Sequence, residues 1–189
     1  MTRQEEALVG LSRRLEELRI PYMVIGGLAN AVWGEPRSTL DIDATIAADT
    51  SETLRITAGL EPEFKTLVSE PESFVHETRV LPLQSRSGVR VDLIFGLLPF
   101  EREAVERSRL VKFAQTEIRF CTPEDLILLK IISTRDQDRA DVQGIIRRRF
   151  SELDLDYLEP RIEELSELLT RPEIVLNWSR WKAEARTSS

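Results

Sequence analysis

The chain predicts an α/β (α+β) fold: a mixed β-sheet flanked by helices, with a helical C-terminal segment. Three observations carry that expectation. The apolar run Tyr22-Met23-Val24-Ile25 stops at Gly26-Gly27, where a buried strand turns into a helix. Leu40 to Ala47 and Val89 to Phe95 have the β-branched, apolar character of strands. Everything after Thr122 reads as helix. The expected division is a core over residues 1–120 and a helical segment over residues 121–189.

In chain order, Leu8, Leu11, Leu15 and Leu18 fall at helical spacing and predict a helix from about Arg3 to Arg19, ended by Pro21. The first strand, the glycine turn, a short helix and the Leu40 to Ala47 strand follow. Asp49-Thr50-Ser51, with Glu52 close behind, opens another helix. Leu60 to Glu72 is rich in proline and charge and reads as a variable connection, with a short helix at Ser73 to Glu77. Val80 to Ser85 and Val89 to Phe95 form an antiparallel hairpin across Arg86-Ser87-Gly88. Pro99 to Arg107 predicts a helix, and Leu110 to Ala114 with Glu117 to Phe120 a second strand pair. Thr122 caps the next helix, with Pro123 in its first turn and Glu124 and Asp125 complementing its dipole. Leu153 to Leu169 and a last helix from Pro172, carrying Trp178 and Trp181, complete the chain.

Asp41 and Asp43 are two apart on the expected strand and so share a face, about 7 Å apart at roughly 3.3 Å per residue. Their repulsion calls for a counter-charge, and a hard divalent cation such as Mg²⁺ provides it while leaving sites for phosphate oxygens. On the later strand Arg90, Asp92 and Ile94 lie opposite the apolar face, so Asp92 meets the first two acids if the strands are adjacent. Three such acids suit a two-ion cluster that activates an attacking oxygen and stabilises a leaving pyrophosphate. Gly26 and Gly27 offer bare backbone N–H groups to an anion. Arg37, just before the acidic strand, has a fork suited to phosphate, although it could pair with Glu35.

These residues resemble the DNA polymerase β-type nucleotidyltransferase superfamily, whose members share the glycine-rich turn, an Asp-x-Asp pair and a third acid on a later strand. The likeness covers about Tyr22 to Gly96. Gly-Gly followed by Arg37-x-Thr39-x-Asp41-x-Asp43 resembles the abortive-infection (AbiEii-like) toxin nucleotidyltransferases. So do Pro123-Glu124-Asp125 leading to Lys130 and the segment Arg135 to Asp141. Many superfamily members carry Gly-Ser where this chain has Gly26-Gly27, which leaves only backbone donors there.

The resemblance implies a polymerase β-like catalytic core and a C-terminal segment that completes the nucleotide and acceptor site. It implies transfer of NMP from an NTP to an acceptor hydroxyl, with Asp41, Asp43 and Asp92 as catalytic residues and ligands of two Mg²⁺ ions. Gly26, Gly27, Arg37, Thr39, Lys130, Asp138 and Asp141 would bind the nucleotide. The toxin-like resemblance implies an RNA 3′ end or a protein as acceptor and a cognate antitoxin as a partner. One rival is an antibiotic-type transferase acting on a small molecule; a second is a nucleotide- or partner-binding module without turnover.

Plainer readings stand beside these. Lys130 could snorkel at a helix edge, Asp138 and Asp141 could pair with Arg135 or Arg139, and Arg147-Arg148-Arg149 suits a helix C-terminus as well as RNA. His76 and Cys121 have no partners for a zinc site or a nucleophilic arrangement. A formal charge of −7 over 189 residues argues against a general nucleic-acid coat. The single cysteine excludes an internal disulfide framework. With no charged-then-apolar leader and no apolar run of spanning length, a cytoplasmic location without membrane association is expected.

Overall fold

Seven strands form one mixed sheet in the order β3-β4-β5-β2-β1-β7-β6. The structure is a computed structural model and describes residues 1–187, with side chains through 186. The strands are β1 (Tyr22–Val24), β2 (Ile42–Ile46), β3 (Phe64–Thr66), β4 (Val80–Ser85), β5 (Arg90–Phe95), β6 (Arg109–Phe113) and β7 (Thr116–Phe120). The helices are α1 (Arg3–Glu17), α2 (Gly26–Trp33), α3 (Thr53–Leu60), α4 (Pro71–Thr78), α5 (Pro99–Arg107), α6 (Pro123–Ile131), α7 (Asp136–Arg149), α8 (Leu155–Leu168) and α9 (Glu173–Thr187). Short 3₁₀ turns at Thr50–Glu52 and Phe150–Glu152 lead out of or into helices.

The chain forms two compact units. The first joins Met1–Leu28 to Ser38–Cys121; the second joins Ala29–Arg37 to the helices from Thr122 onward. The division falls inside α2.

Two faces of the first unit's sheet differ in character. Ile42, Ala44, Ile46, Leu81, Leu83, Val91, Leu93 and Phe95 point to one side and are fully buried. α1 lies on that side, where Gly10 approaches the Phe64 ring, and α3 packs beside α1. Leu8, Leu11 and Leu15 of α1 are each 0% exposed, so Leu11→Ala is expected to cost about 2–5 kcal/mol, read as a lower urea midpoint. On the other side α5 packs against β1 and β2 near Thr45, and beyond α5 that face carries Asp43, Arg90 and Asp92.

Several local expectations need correction. α1 closes at Glu17, with Leu18 as its cap and Arg19 in a left-handed turn (φ 55°), so the helix ends before Pro21 acts. The stretch read as a variable connection holds β3, which pairs only with β4, and a helix longer than expected. Arg79 ends that helix in the left-handed conformation. β2 begins at Ile42, and Leu40 before it is 84% exposed, so Asp41 sits in the bend before the strand and not on it.

The second unit is helical. α6 packs on α7 and α8, and α9 on α7 and α8. The Thr122 side chain caps α6 by accepting from the Asp125 N–H, as its sequence suggests. Trp178 and Trp181 are buried in packing, and Asp125 receives the Tyr157 hydroxyl at 2.7 Å.

Candidate active site

β1 and β2 run antiparallel, and their pairing continues past the strand end: Ile25 N–H donates to the Asp43 carbonyl at 2.9 Å. The chain then turns at Gly26, whose φ is +65°, and α2 begins. A Cβ built on Gly26 would lie 2.0 Å from Asp43 Oδ2, so the carboxylate rests directly over the glycine backbone. A Cβ on Gly27 would lie 2.7 Å from both Cβ and Oγ1 of Thr39. Both glycines are therefore required by close approach, and the approaching groups are two predicted site residues.

β2 and β5 are parallel neighbours with Asp43 level with Asp92. Adjacent strands stand about 4.8 Å apart, so the two carboxylates leave one face side by side. The adjacency on which the sequence argument depended is present. Asp41 is exposed in the preceding bend, where Gln4 Nε2 from α1 donates to the carbonyls of Thr39 at 3.1 Å and Asp41 at 3.4 Å. Gln4 had no signal in the sequence; only the fold brings α1 to that bend.

Arg90 is the other residue the sequence reading left without a role. Its guanidinium meets both oxygens of Asp92 at 3.0–3.2 Å. The signal was available, since two residues apart on a strand share a face. Among the described residues no three His, Cys, Asp or Glu side chains stand close enough together to hold a metal ion. Donor chemistry nonetheless suits a hard divalent cation: Asp43 and Asp92 are paired in register, and Asp41 lies two residues before Asp43.

The remaining predicted residues, Arg37, Lys130, Asp138 and Asp141, lie in the second unit and form one charge network. Lys130 is 7% exposed and reaches Asp138 Oδ1 at 2.7 Å and Asp141 Oδ2 at 2.9 Å. Arg37 clasps Asp141 through Nε and Nη2, both at 3.0 Å, and Ser133 donates to Asp138 at 2.8 Å. Asp138 and Asp141 thus pair chiefly with Lys130 and Arg37, while Arg135 only approaches Asp138 at 3.6 Å. Arg37 does not take Glu35, which instead pairs with Arg147 at 2.9 Å. Arg148 donates to the Gly34 carbonyl and Arg149 pairs with Glu152, so the three-arginine run is engaged within this unit.

Burial works against ionisation of Asp138 and Asp141, but the hydrogen bonds from Lys130, with Ser133 on Asp138 and Arg37 on Asp141, outweigh it. Both carboxyls titrate below their ordinary value. A lowered folded value means stability that is present above the unfolded value and lost as pH falls through the folded one. Urea midpoints should therefore drop below about pH 4. Asp141→Asn should flatten that drop and cost about 3 kcal/mol at neutral pH, because Lys130 and Arg37 lose a buried partner.

His76 is exposed, and Cys121 is buried and forms no disulfide. No described helix is long and apolar enough to cross a membrane.

A family model described as a nucleotidyltransferase of unknown function (DUF6036) matches residues 3–186. No curated protein matches the chain. Among solved structures, the antibiotic-resistance factor ANT(2″)-Ia aligns with a TM-score of 0.62 at 14% identity, over 90% of this chain and 95% of that one. An antigenic nucleotidyltransferase-like protein from Paracoccidioides brasiliensis aligns at 0.57 and 17% identity, over 92% and 90%. A nucleotidyltransferase-type protein from H. pylori aligns at 0.55 and 11% identity, over 100% and 99%. At these identities the likeness shows the fold alone.

Proposed function

This chain belongs to the nucleotidyltransferase family DUF6036, within the DNA polymerase β-type superfamily, and we propose that it transfers a nucleoside monophosphate from an NTP to an acceptor hydroxyl, releasing pyrophosphate. The observation that carries the reading is the seating of Asp43 over Gly26 with Asp92 level with it on the next strand. A plain turn has no need of a glycine at which any side chain would displace an acid.

In this reading Asp41, Asp43 and Asp92 would hold two Mg²⁺ ions, which would neutralise triphosphate charge and favour ionisation of the acceptor hydroxyl. Asp92 also takes the proton from that hydroxyl. The N–H groups of Gly26 and Gly27, in the first turn of α2, would donate to the triphosphate, and the Thr39 hydroxyl beside Gly27 would add a donor. Arg37 and Lys130 are the proposed phosphate cations, kept in place by Asp141 and Asp138.

For the acceptor, the Arg37-x-Thr39-x-Asp41-x-Asp43 motif supports the AbiEii-like reading, hence an RNA 3′ end or a protein side chain, with a cognate antitoxin. A second reading, a polycationic small molecule of the aminoglycoside type, is favoured by the exposed acids Asp156, Glu163, Glu164 and Glu167 on α8. Incubating the chain with each α-labelled NTP, Mg²⁺ and, separately, RNA, protein and aminoglycoside distinguishes them. Label on RNA or protein supports the first reading, label on the drug alone supports the second, and label on none removes both.

A further inference from the structure

Arg90 and Asp92 stand two residues apart on the open face of β5, and the guanidinium covers the Asp92 carboxylate with Nε at 3.1 and 3.2 Å and Nη2 at 3.0 Å. The other two acids lie near. Asp43 pairs with Asp92, and Asp41 lies two residues before Asp43, in the bend that precedes β2. The arginine's pKa is raised, first by its hydrogen bond to Asp92 and the charge of that acid, then against slight burial by the charges of Asp41 and Asp43. Its side chain is 51% exposed, and across β4 its neighbour is the half-buried Gln84. The guanidinium therefore has open space to swing into and gives up no buried pairing when it leaves Asp92.

We propose that Arg90 is the built-in counter-ion of the acid cluster: it positions the Asp92 carboxylate in the ligand-free chain and competes with a divalent cation for it. This inference rests on the cation reading of the three acids given above. The same charge that relieves repulsion among Asp41, Asp43 and Asp92 opposes an incoming cation, so loading the cluster requires Arg90 to release Asp92. The consequence is a weak cation site in the free chain, its affinity set by one exposed arginine.

Mn²⁺ titration of the full-length chain without nucleotide, read from the electron spin resonance of free Mn²⁺, tests the idea. Arg90→Gln should bind Mn²⁺ roughly three- to tenfold more tightly than the native chain, as expected for removing one unit charge several ångströms from a divalent ion at the surface. Arg90→Lys keeps the charge and should stay within about twofold of native. Asp92→Asn should weaken binding in either background. Unchanged or weaker binding by Arg90→Gln overturns the proposal, as does equal tightening by Arg90→Lys. If native and Arg90→Gln chains both fail to bind Mn²⁺, the cation reading fails and this inference with it. Equal binding by the two removes the role of Arg90 alone. Matching thermal melts of the variants establish that each is folded.

Discussion

Asp43→Asn is expected to reduce nucleotidyl transfer on the order of 10³-fold while leaving the fold intact. The asparagine keeps the shape of a side chain that lies against the Gly26 backbone, and the Ile25 N–H bond to the main-chain carbonyl of residue 43 is retained. What is lost is one negative charge beside Asp92, hence the strength with which a divalent cation and the triphosphate are held. Thermal unfolding should move by no more than a few degrees, since the residue is only half-buried and the core face of β2 is unaffected. A large fall in the melting temperature would instead identify Asp43 as a structural acid.

Gly26→Ala should harm both activity and stability, and a second glycine separates the two effects. Gly26 has φ +65° and its added methyl would collide with Asp43; Gly88, in the β4–β5 turn, has φ +85° and nothing within 4 Å. Either alanine incurs about 1–2 kcal/mol for the left-handed backbone. Only at Gly26 must the carboxylate also move, by more than an ångström, and misplacement on that scale costs on the order of 10² in rate. Gly88→Ala should therefore lower the urea midpoint and keep the transfer rate, whereas Gly26→Ala lowers both. Equal activity of the two variants would show that the contact with Asp43 has no catalytic consequence.

The parts of this site that could be read from the chain are those written in local pattern. A buried strand closing on Gly26-Gly27 and a hairpin presenting Asp92 follow from burial and alternation, and the pairing of β2 with β5 turned the shared-face argument into a register. Patterning failed where local rules are silent. β3 is three residues long and owes its existence to pairing with β4. Asp41 falls outside β2 because Leu40 has no apolar surface to join, a tertiary fact that its strand-like composition conceals. Asp141 meets Arg37 across 104 positions of sequence, so the partners weighed for it, Arg135 and Arg139, were only its helical neighbours. Lys130, on an apolar helix, is held by Asp138 and Asp141, a partnership that no local pattern in the chain displays.

The account stands or falls on whether the acids support turnover. Pyrophosphate release from each NTP should be followed with Mg²⁺ and mixed RNA, protein and aminoglycoside acceptors, comparing the native chain with Asp43→Asn. The account predicts release by the native chain with at least one NTP, matched mole for mole by label in an acceptor and absent from the variant. Mg²⁺-dependent nucleotide binding by the native chain without any release would contradict it and leave a binding module that kept the fold without the chemistry.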